Sequence, residues 1–97
     1  MSAILKRGLE PEHPGFVLRE MYVEPLDITN AYLAERIGVT RITINKLLNG
    51  KQGITAEMAL RLAKAFSTTP VFWLNLQRNY DLWQAEKRFA ADIKAIA

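Results

Sequence analysis

Residues 29–50 read TNAYLAERIGVTRITINKLLNG, two short amphipathic patterns separated by a glycine. The apolar side chains that recur at helical spacing are Leu33, Ala34 and Ile37 in the first pattern and Ile44, Leu47 and Leu48 in the second. Gly38 stands between them, and glycine is the residue that most readily ends a helix in the left-handed conformation. The stretch therefore predicts a helix, a tight turn and a second helix, the helix-turn-helix arrangement.

The outward face of the second helix carries only neutral polar and basic side chains once its apolar stripe is buried. These residues are Thr40, Arg41, Thr43, Asn45, Lys46 and Asn49. Exposed helix faces usually mix acidic with basic residues, whereas a face without carboxylates suits DNA phosphates and base edges. We interpret this helix as one that enters a DNA major groove. The alternative is a helical hairpin without a ligand, which needs only the glycine turn and the two stripes.

The charge of the chain is unevenly distributed. Residues 1–35 hold three basic and six acidic residues, a net charge of −3. Residues 36–64 hold six basic residues against Glu57 alone, a net charge of +5, and residues 65–97 carry +1. The positive block overlaps the second half of the motif and the helix after it, which favours a nucleic-acid partner.

Composition argues against several other classes of protein. A chain of 97 residues is expected to form one domain. It has no cysteine and a single histidine, His13, so neither a thiolate nor a histidine-pair metal site is predicted. We expect no cofactor and no enzymatic activity, because paired carboxylates and a glycine-rich phosphate loop are missing. No apolar run reaches the roughly 18 residues of a membrane span, so a cytoplasmic protein is expected.

Further helices are predicted before and after the motif, and no β-strand is predicted anywhere in the chain. The first runs from Pro14 to about Val23 and stops ahead of Pro25. The last runs from Pro70 to about Ala95 without an internal glycine or proline. The predicted N-cap residues are Thr29, Thr40, Thr55 and Thr69. His13 is expected to be a capping or surface residue.

With these residues placed, the chain resembles the HigA-type antitoxins, within the Xre/Cro family of phage-repressor-like DNA-binding domains. The resemblance covers about residues 13–86. Its segments are HPG at 13–15, EPL at 24–26, LAERIGV at 33–39, INKLLNGK at 44–51, IT at 54–55, ALRLAKAF at 59–66 and FWLNLQRNYDL at 72–82. HPG, EPL and the last segment together are more specific than the helix-turn-helix alone. Phe16 and Asp27 depart from the family, which often has an acidic residue and a glycine there.

The resemblance implies an all-α fold of five helices, a Cro/phage-repressor-like domain with a long C-terminal helix. Residues 1–12 carry no clear period, so the sequence itself predicts a flexible N-terminal segment there. Residues 13–97 are expected to form the DNA-binding domain, with helix 70–95 used for packing and dimerisation. The implied function is a repressor of its own operon that neutralises an mRNA-cleaving toxin of the HigB/RelE-like type. The alternative is a stand-alone Xre-family regulator without a toxin. The implied partners are double-stranded operator DNA, a second copy and a HigB-type ribonuclease.

Similarity to Cro-like domains assigns DNA contacts to individual residues. Arg41 and Lys46 are expected to reach guanine, and Ile42 a thymine methyl group. Thr43 and Asn45 flank them, and the amide of Asn45 suits adenine. The predicted phosphate contacts are Asn30, Thr40, Asn49 and Lys51.

The remaining expectations concern residues outside the helix-turn-helix motif. Arg61 and Lys64 are expected to be solvated helix residues. Trp83 lies about 15 Å along the last helix from Trp73, so Tyr80 and Trp83 are expected at a dimer or partner surface. The acidic residues hypothesised to face a basic toxin are Glu10, Glu12, Glu20 and Glu24.

Overall fold

The computed structural model describes residues 10–97, and all regular structure in that range is helical. The helices are α1, Pro14–Leu18, continued by a π-helical turn over Arg19–Val23; α2, Asn30–Ile37; α3, Arg41–Leu48; α4, Ala56–Phe66; and α5, Pro70–Arg88. The predicted all-α architecture of five helices is confirmed. The predicted flexible N-terminal segment falls largely on residues 1–9, which lie outside the described residues.

A threonine hydroxyl sets the start of each helix after α1, by accepting a hydrogen bond from the backbone amide three residues on. The caps are Thr29, Thr40, Thr55 and Thr69, with donor amides at 3.0–3.2 Å from Tyr32, Thr43, Met58 and Phe72. All four predicted caps are confirmed. They satisfy amides that have no partner inside the helix, which is why these residues begin helices.

The core is built from the apolar stripes of the motif together with α4 and α5. Its fully buried side chains include Leu18, Ile44, Leu47, Leu48, Leu62 and Trp73. The indole Nε1 of Trp73 donates to Thr68 Oγ1 at 2.7 Å, so the one polar atom of this buried ring is satisfied. Tyr22 and Phe66 stack at 4.3 Å between ring centroids and cover one side of the core. The helices α2 and α3 are therefore held in place by close packing against α4 and α5.

The first helix lies close against the end of α3. Gly15 permits this approach, because a Cβ built on it would lie 1.7 Å from the backbone oxygen of Leu47. The following π-helical turn is closed by the amide of Glu24, which donates to the carbonyl of Arg19 at 2.9 Å. The helix stops at Val23, as predicted from Pro25.

The last helix is shorter than predicted. It ends at Arg88, and residues 89–97 are non-helical and exposed. The prediction of a helix to about Ala95 is wrong, because the apolar side chains of Phe89, Ile93 and Ile96 find no surface of this chain to pack against. A helical end without packing is marginal in water. Among the described helices, none combines the length and apolar character needed to cross a membrane.

Candidate nucleic-acid interface

The turn between α2 and α3 fixes how the second helix of the motif is presented. Gly38 ends α2 with φ of 79°, the left-handed conformation predicted for it. Its amide and that of Val39 both donate to the Ala34 carbonyl, at 2.9 and 3.0 Å. Val39 packs against the core, and Thr40 then caps α3. The chain thus reverses within three residues and exposes the first turn of α3.

The first turns of α3 project three side chains outward. Arg41, Ile42 and Lys46 are all exposed, and Ile42 is 65% exposed although it is apolar. Within residues 10–97, neither Arg41 nor Lys46 makes an ion pair or side-chain hydrogen bond. The first turn of α3 contains no acidic residue. Two long cations and an apolar side chain are therefore free to meet base edges and a thymine methyl group.

The neutral polar residues of the predicted interface are held by the protein itself. Asn30 Nδ2 donates to Asn45 Oδ1, which joins the start of α2 to the middle of α3. Asn45 is half-buried, and its amide oxygen is already engaged. The Thr40 and Thr43 hydroxyls lie 3.0 Å apart in a hydrogen bond. Of Asn30, Thr40, Thr43 and Asn45, only Thr40 is fully exposed. The hydrogen bonds among these four residues therefore stabilise the interface, and their side chains also line it.

The far end of α3 continues the polar and basic surface. Arg19 Nη2 donates to Asn49 Oδ1 at 3.3 Å, which ties the first helix to the end of α3. Asn49 Nδ2 donates back to the Asn45 carbonyl at 2.8 Å. Lys51 follows on an exposed turn, and its amide donates to the Lys46 carbonyl at 2.8 Å. Sequence reasoning missed Arg19, since nothing in its local pattern shows that it faces α3.

Arg61 is a second residue whose place the sequence did not reveal. It was expected to be solvated, but its Nη1 donates to the Ile37 carbonyl at 2.6 Å. Its bond to Glu57, four residues earlier on α4, was visible as an i,i+4 pair. The contact with α2 depends on tertiary packing and has no local signal. Lys64 is exposed, as expected.

Tyr80 and Trp83 lie on the side of α5 that faces the start of α1. The Tyr80 ring meets the His13 ring edge-on at 5.0 Å between centroids. Trp83 is half-buried, and its Nε1 is shielded from solvent without a hydrogen-bond partner in the described residues. The most exposed apolar residues of α5 are on another face, at Val71 and Leu82. No group of three or more His, Cys, Asp or Glu side chains in residues 10–97 is placed to hold a metal ion.

Comparison with known proteins agrees with this geometry. A helix-turn-helix family model matches residues 18–73. Antitoxin HigA-1 of Vibrio cholerae is 41% identical over 91 residues, which covers 94% of this chain and 86% of that protein. YbaQ of Escherichia coli, an uncharacterised HTH-type transcriptional regulator, is 48% identical over 77 residues, covering 79% of this chain and 68% of the relative.

Solved structures give the same result. Pseudomonas aeruginosa antitoxin HigA, determined with the higBA promoter, superposes with a TM-score of 0.82 at 35% identity, covering 90% of this chain and 99% of that one. Antitoxin GraA in complex with its operator gives a TM-score of 0.79 at 39% identity, covering 93% and 98%. The resemblance seen in the sequence is confirmed. This chain belongs to the HigA family of helix-turn-helix antitoxins.

Proposed function

We propose that this protein is a sequence-specific repressor and the antitoxin of a type II toxin–antitoxin module, which binds the operator of its own operon. The observation that carries the proposal is the exposed, acid-free start of α3, where Arg41, Ile42 and Lys46 project together. Support comes from the HigA and GraA relatives, whose structures contain promoter or operator DNA.

The chemistry of base reading follows from these three side chains. The planar guanidinium of Arg41 donates two parallel hydrogen bonds to O6 and N7 of a guanine, and Lys46 reaches a second base as a point donor. Ile42 packs against a thymine methyl group. Thr43 and the free Nδ2 of Asn45 lie beside them, and Asn45 is oriented by its bond to Asn30. Asn30, Thr40, Asn49 and Lys51 contact phosphates and fix the register.

The experiment that tests this proposal is a gel-shift titration on the DNA upstream of the gene. Arg41→Ala and Lys46→Ala are each expected to weaken binding by about 10- to 100-fold, the value of one good base contact. Lys87→Ala, which removes an exposed cation at the far end of α5, is the matched control and leaves affinity unchanged. Wild-type protein with no preference over random DNA would overturn the proposal.

A homodimer fits operators with paired half-sites, which lie about 34 Å apart on the duplex. We propose α5 as the surface that joins the copies. Val71, Leu74, Leu82 and Ala85 recur at spacings of three, eight and three residues, which keeps them on one side of the helix. Tyr80 and Trp83 lie on the opposite side of α5, toward the start of α1, where a partner other than the second copy would contact them.

The partner toxin is proposed to be a HigB-type ribonuclease bound at the acidic surface near α1. Burial and the neighbouring Glu20 carboxylate raise the pKa of Glu12, so two like charges are held close there. A basic partner would relieve this repulsion. Charge reversal at Glu10, Glu12, Glu20 and Glu24 is expected to abolish co-purification with the product of the adjacent reading frame. Unchanged co-purification would refute this surface.

A second candidate function is a stand-alone regulator, which YbaQ favours because it is described only as a transcriptional regulator. The two functions differ in one cellular result. Expression of the reading frame next to this gene arrests growth, and this protein restores it, only if the pair is a toxin and its antitoxin. In both cases we place the protein in the cytoplasm, where its DNA lies, acting by binding and not by catalysis.

A further inference from the structure

The guanidinium of Arg61 joins α4 to the turn of the helix-turn-helix. Its Nη1 donates to the Ile37 carbonyl at 2.6 Å and lies 3.5 Å from the Gly38 carbonyl. Its Nη2 and Nε both bond Glu57 Oε2, at 2.7 and 3.3 Å. One side chain therefore holds a carboxylate of its own helix and two carbonyls at the end of another.

Those two carbonyls lie where α2 stops. The last carbonyls of a helix lack partners within it and carry the negative end of the helix dipole, so a cation there is favourable. Gly38 also leaves room for the guanidinium, because a Cβ on it would lie 2.9 Å from Arg61 Nη1. The glycine thus serves two purposes, the positive φ of the turn and the close approach of Arg61.

No other bond in the described residues fixes this turn from outside the motif. The amides of Gly38 and Val39 bond back to α2, and Thr40 bonds to Thr43 within α3. Within the described residues, Arg61 is therefore the one hydrogen-bonding group that ties the turn itself to another helix of the domain, whereas the middle and end of α3 are held by Asn30 and Arg19. The planar fork of an arginine suits this, since it binds two acceptors at once in fixed geometry.

We propose that Arg61 is a positioning residue for DNA binding, which sets the angle of α3 by clamping the turn and does not itself contact DNA. This inference rests on the proposed function as a DNA-binding repressor. Base readout by a few side chains of α3 depends on sub-ångström placement, so a turn released from α4 weakens operator binding without removing any contact.

The surroundings of Arg61 supply a matched control. Arg61 lines a groove of about 600 Å³ together with Arg36 and Lys64, and none of the groove's lining residues is acidic. Lys64 is exposed on the same helix, three residues further on, and makes no side-chain bond in the described residues. Arg61→Met and Lys64→Met therefore remove the same charge from the same region, but only the first removes the clamp.

The test compares these two variants on operator DNA over a range of salt concentrations. Arg61→Met is expected to weaken binding about tenfold with the slope of log affinity against log salt unchanged. Lys64→Met is expected to stay within about twofold of wild type. Equal losses in both variants would overturn the proposal. So would a salt slope lowered by about one in Arg61→Met, the signature of a phosphate contact.

Amide hydrogen exchange gives a second readout that needs no DNA. Arg61→Met is expected to speed exchange at Gly38 and Val39, while the Asn49 amide at the other end of α3 keeps its rate. Unchanged exchange at the turn would overturn the clamp. Wild-type protein that ignores operator DNA would instead refute the proposed function and leave the exchange result standing.

Should Arg61→Met prove unfolded, Glu57→Gln carries the same test. It keeps Arg61 but removes the carboxylate that orients it. A smaller loss of affinity at unchanged salt slope is expected, again with Lys64→Met near wild type. Wild-type affinity and exchange in Glu57→Gln would overturn the proposal in that case.

Discussion

His13 is buried at the start of α1 and acts there as a hydrogen-bond acceptor. Its Nδ1 accepts from the Gly15 amide at 2.9 Å, which takes the place of a conventional polar cap. Burial lowers the pKa of His13, and the Asp81 carboxylate offsets part of that effect. The neutral ring is the form that fits, because a protonated Nδ1 has no lone pair to accept with.

This arrangement predicts a dependence of stability on pH. Since the folded-state pKa of His13 lies below its ordinary value of 6.5, its contribution is fully present above pH 6.5 and is lost as pH falls through the folded pKa. We expect the melting temperature of the wild type to drop as the pH falls below 6.5. Thermal melts followed by circular dichroism at a series of pH values check this.

The control for that experiment is His13→Asn, which can still cap the helix but does not titrate. Its melting temperature should start lower, because the ring contacts with Tyr80 are lost, and should change less in the same window. The raised pKa of Glu12 acts with the opposite sign, favouring the fold at lower pH, and is common to both proteins. Parallel pH profiles for the two would show that His13 is not the group responsible.

At the scale of elements, the packing of α1 on α3 depends on the absence of a side chain at Gly15. A Cβ there would meet the Leu47 oxygen at 1.7 Å and its carbonyl carbon at 2.7 Å. Both are backbone atoms of the helix proposed to read DNA, so they cannot move aside without moving that helix. Gly15 is also the glycine of the HPG segment on which the family resemblance rests. The close approach of α1 to the Leu47 backbone explains why that motif has a glycine at this position.

Gly15→Ala is therefore expected to destabilise the domain by about 1–3 kcal/mol or more, the cost of overpacking. In a domain of this size each kcal/mol lowers the melting temperature by about 4–8 °C. Gly53→Ala is the control with a smaller expected loss, since the atoms nearest its new Cβ belong to a side chain, the amide of Gln77 at 3.0 Å, which would have to shift its bond to the Ile54 amide. Equal shifts in calorimetry would contradict the close approach seen at Gly15.

The elements also show what local sequence can and cannot predict. Helix starts were predicted from threonine caps because a cap bonds to an amide three residues away. The end of α5 was not predicted correctly. The apolar residues recur at helical spacing as far as Ile96, but this pattern does not show whether another part of the protein covers them. In the interface, the exposure of Arg41 and Lys46 could be predicted from the buried apolar residues of α3, which leave these two side chains on the outward face. The contact of Arg61 with the Ile37 carbonyl could not be predicted, because it depends on α4 passing the end of α2.

At the scale of the whole molecule, the described part of the chain is elongated, 50 × 25 × 22 Å, and α5 is the longest of its helices. Apolar side chains on its free face remain exposed, with Val71 at 60% and Leu82 at 56%. Leu82 and Leu74 line a shallow depression along the helix. Gln77, Arg78 and Asp81 line the same depression, so this side of α5 combines exposed apolar side chains with polar ones, as interaction surfaces of soluble proteins do.

Leu82→Glu is expected to convert a dimer into a monomer and to weaken binding to paired half-sites, because a buried carboxylate would face its symmetry mate. Light scattering after gel filtration measures the mass of each species. Leu60→Glu is the matched control, since Leu60 is similarly exposed, at 52%, but belongs to α4 and not to α5. A Leu82→Glu protein that remains dimeric would place the interface elsewhere.

The contrast between the two tryptophans gives the molecule an internal fluorescent reporter. Trp73 is shielded in the core and bonded to Thr68, so its emission follows the integrity of the fold. Trp83 is half-buried on the distal part of α5 and has an unbonded indole nitrogen, so its emission is sensitive to whatever covers that surface. A Trp73→Phe protein would leave Trp83 as the sole indole emitter, and a toxin that docks on this side of α5 would shift its wavelength without any added label.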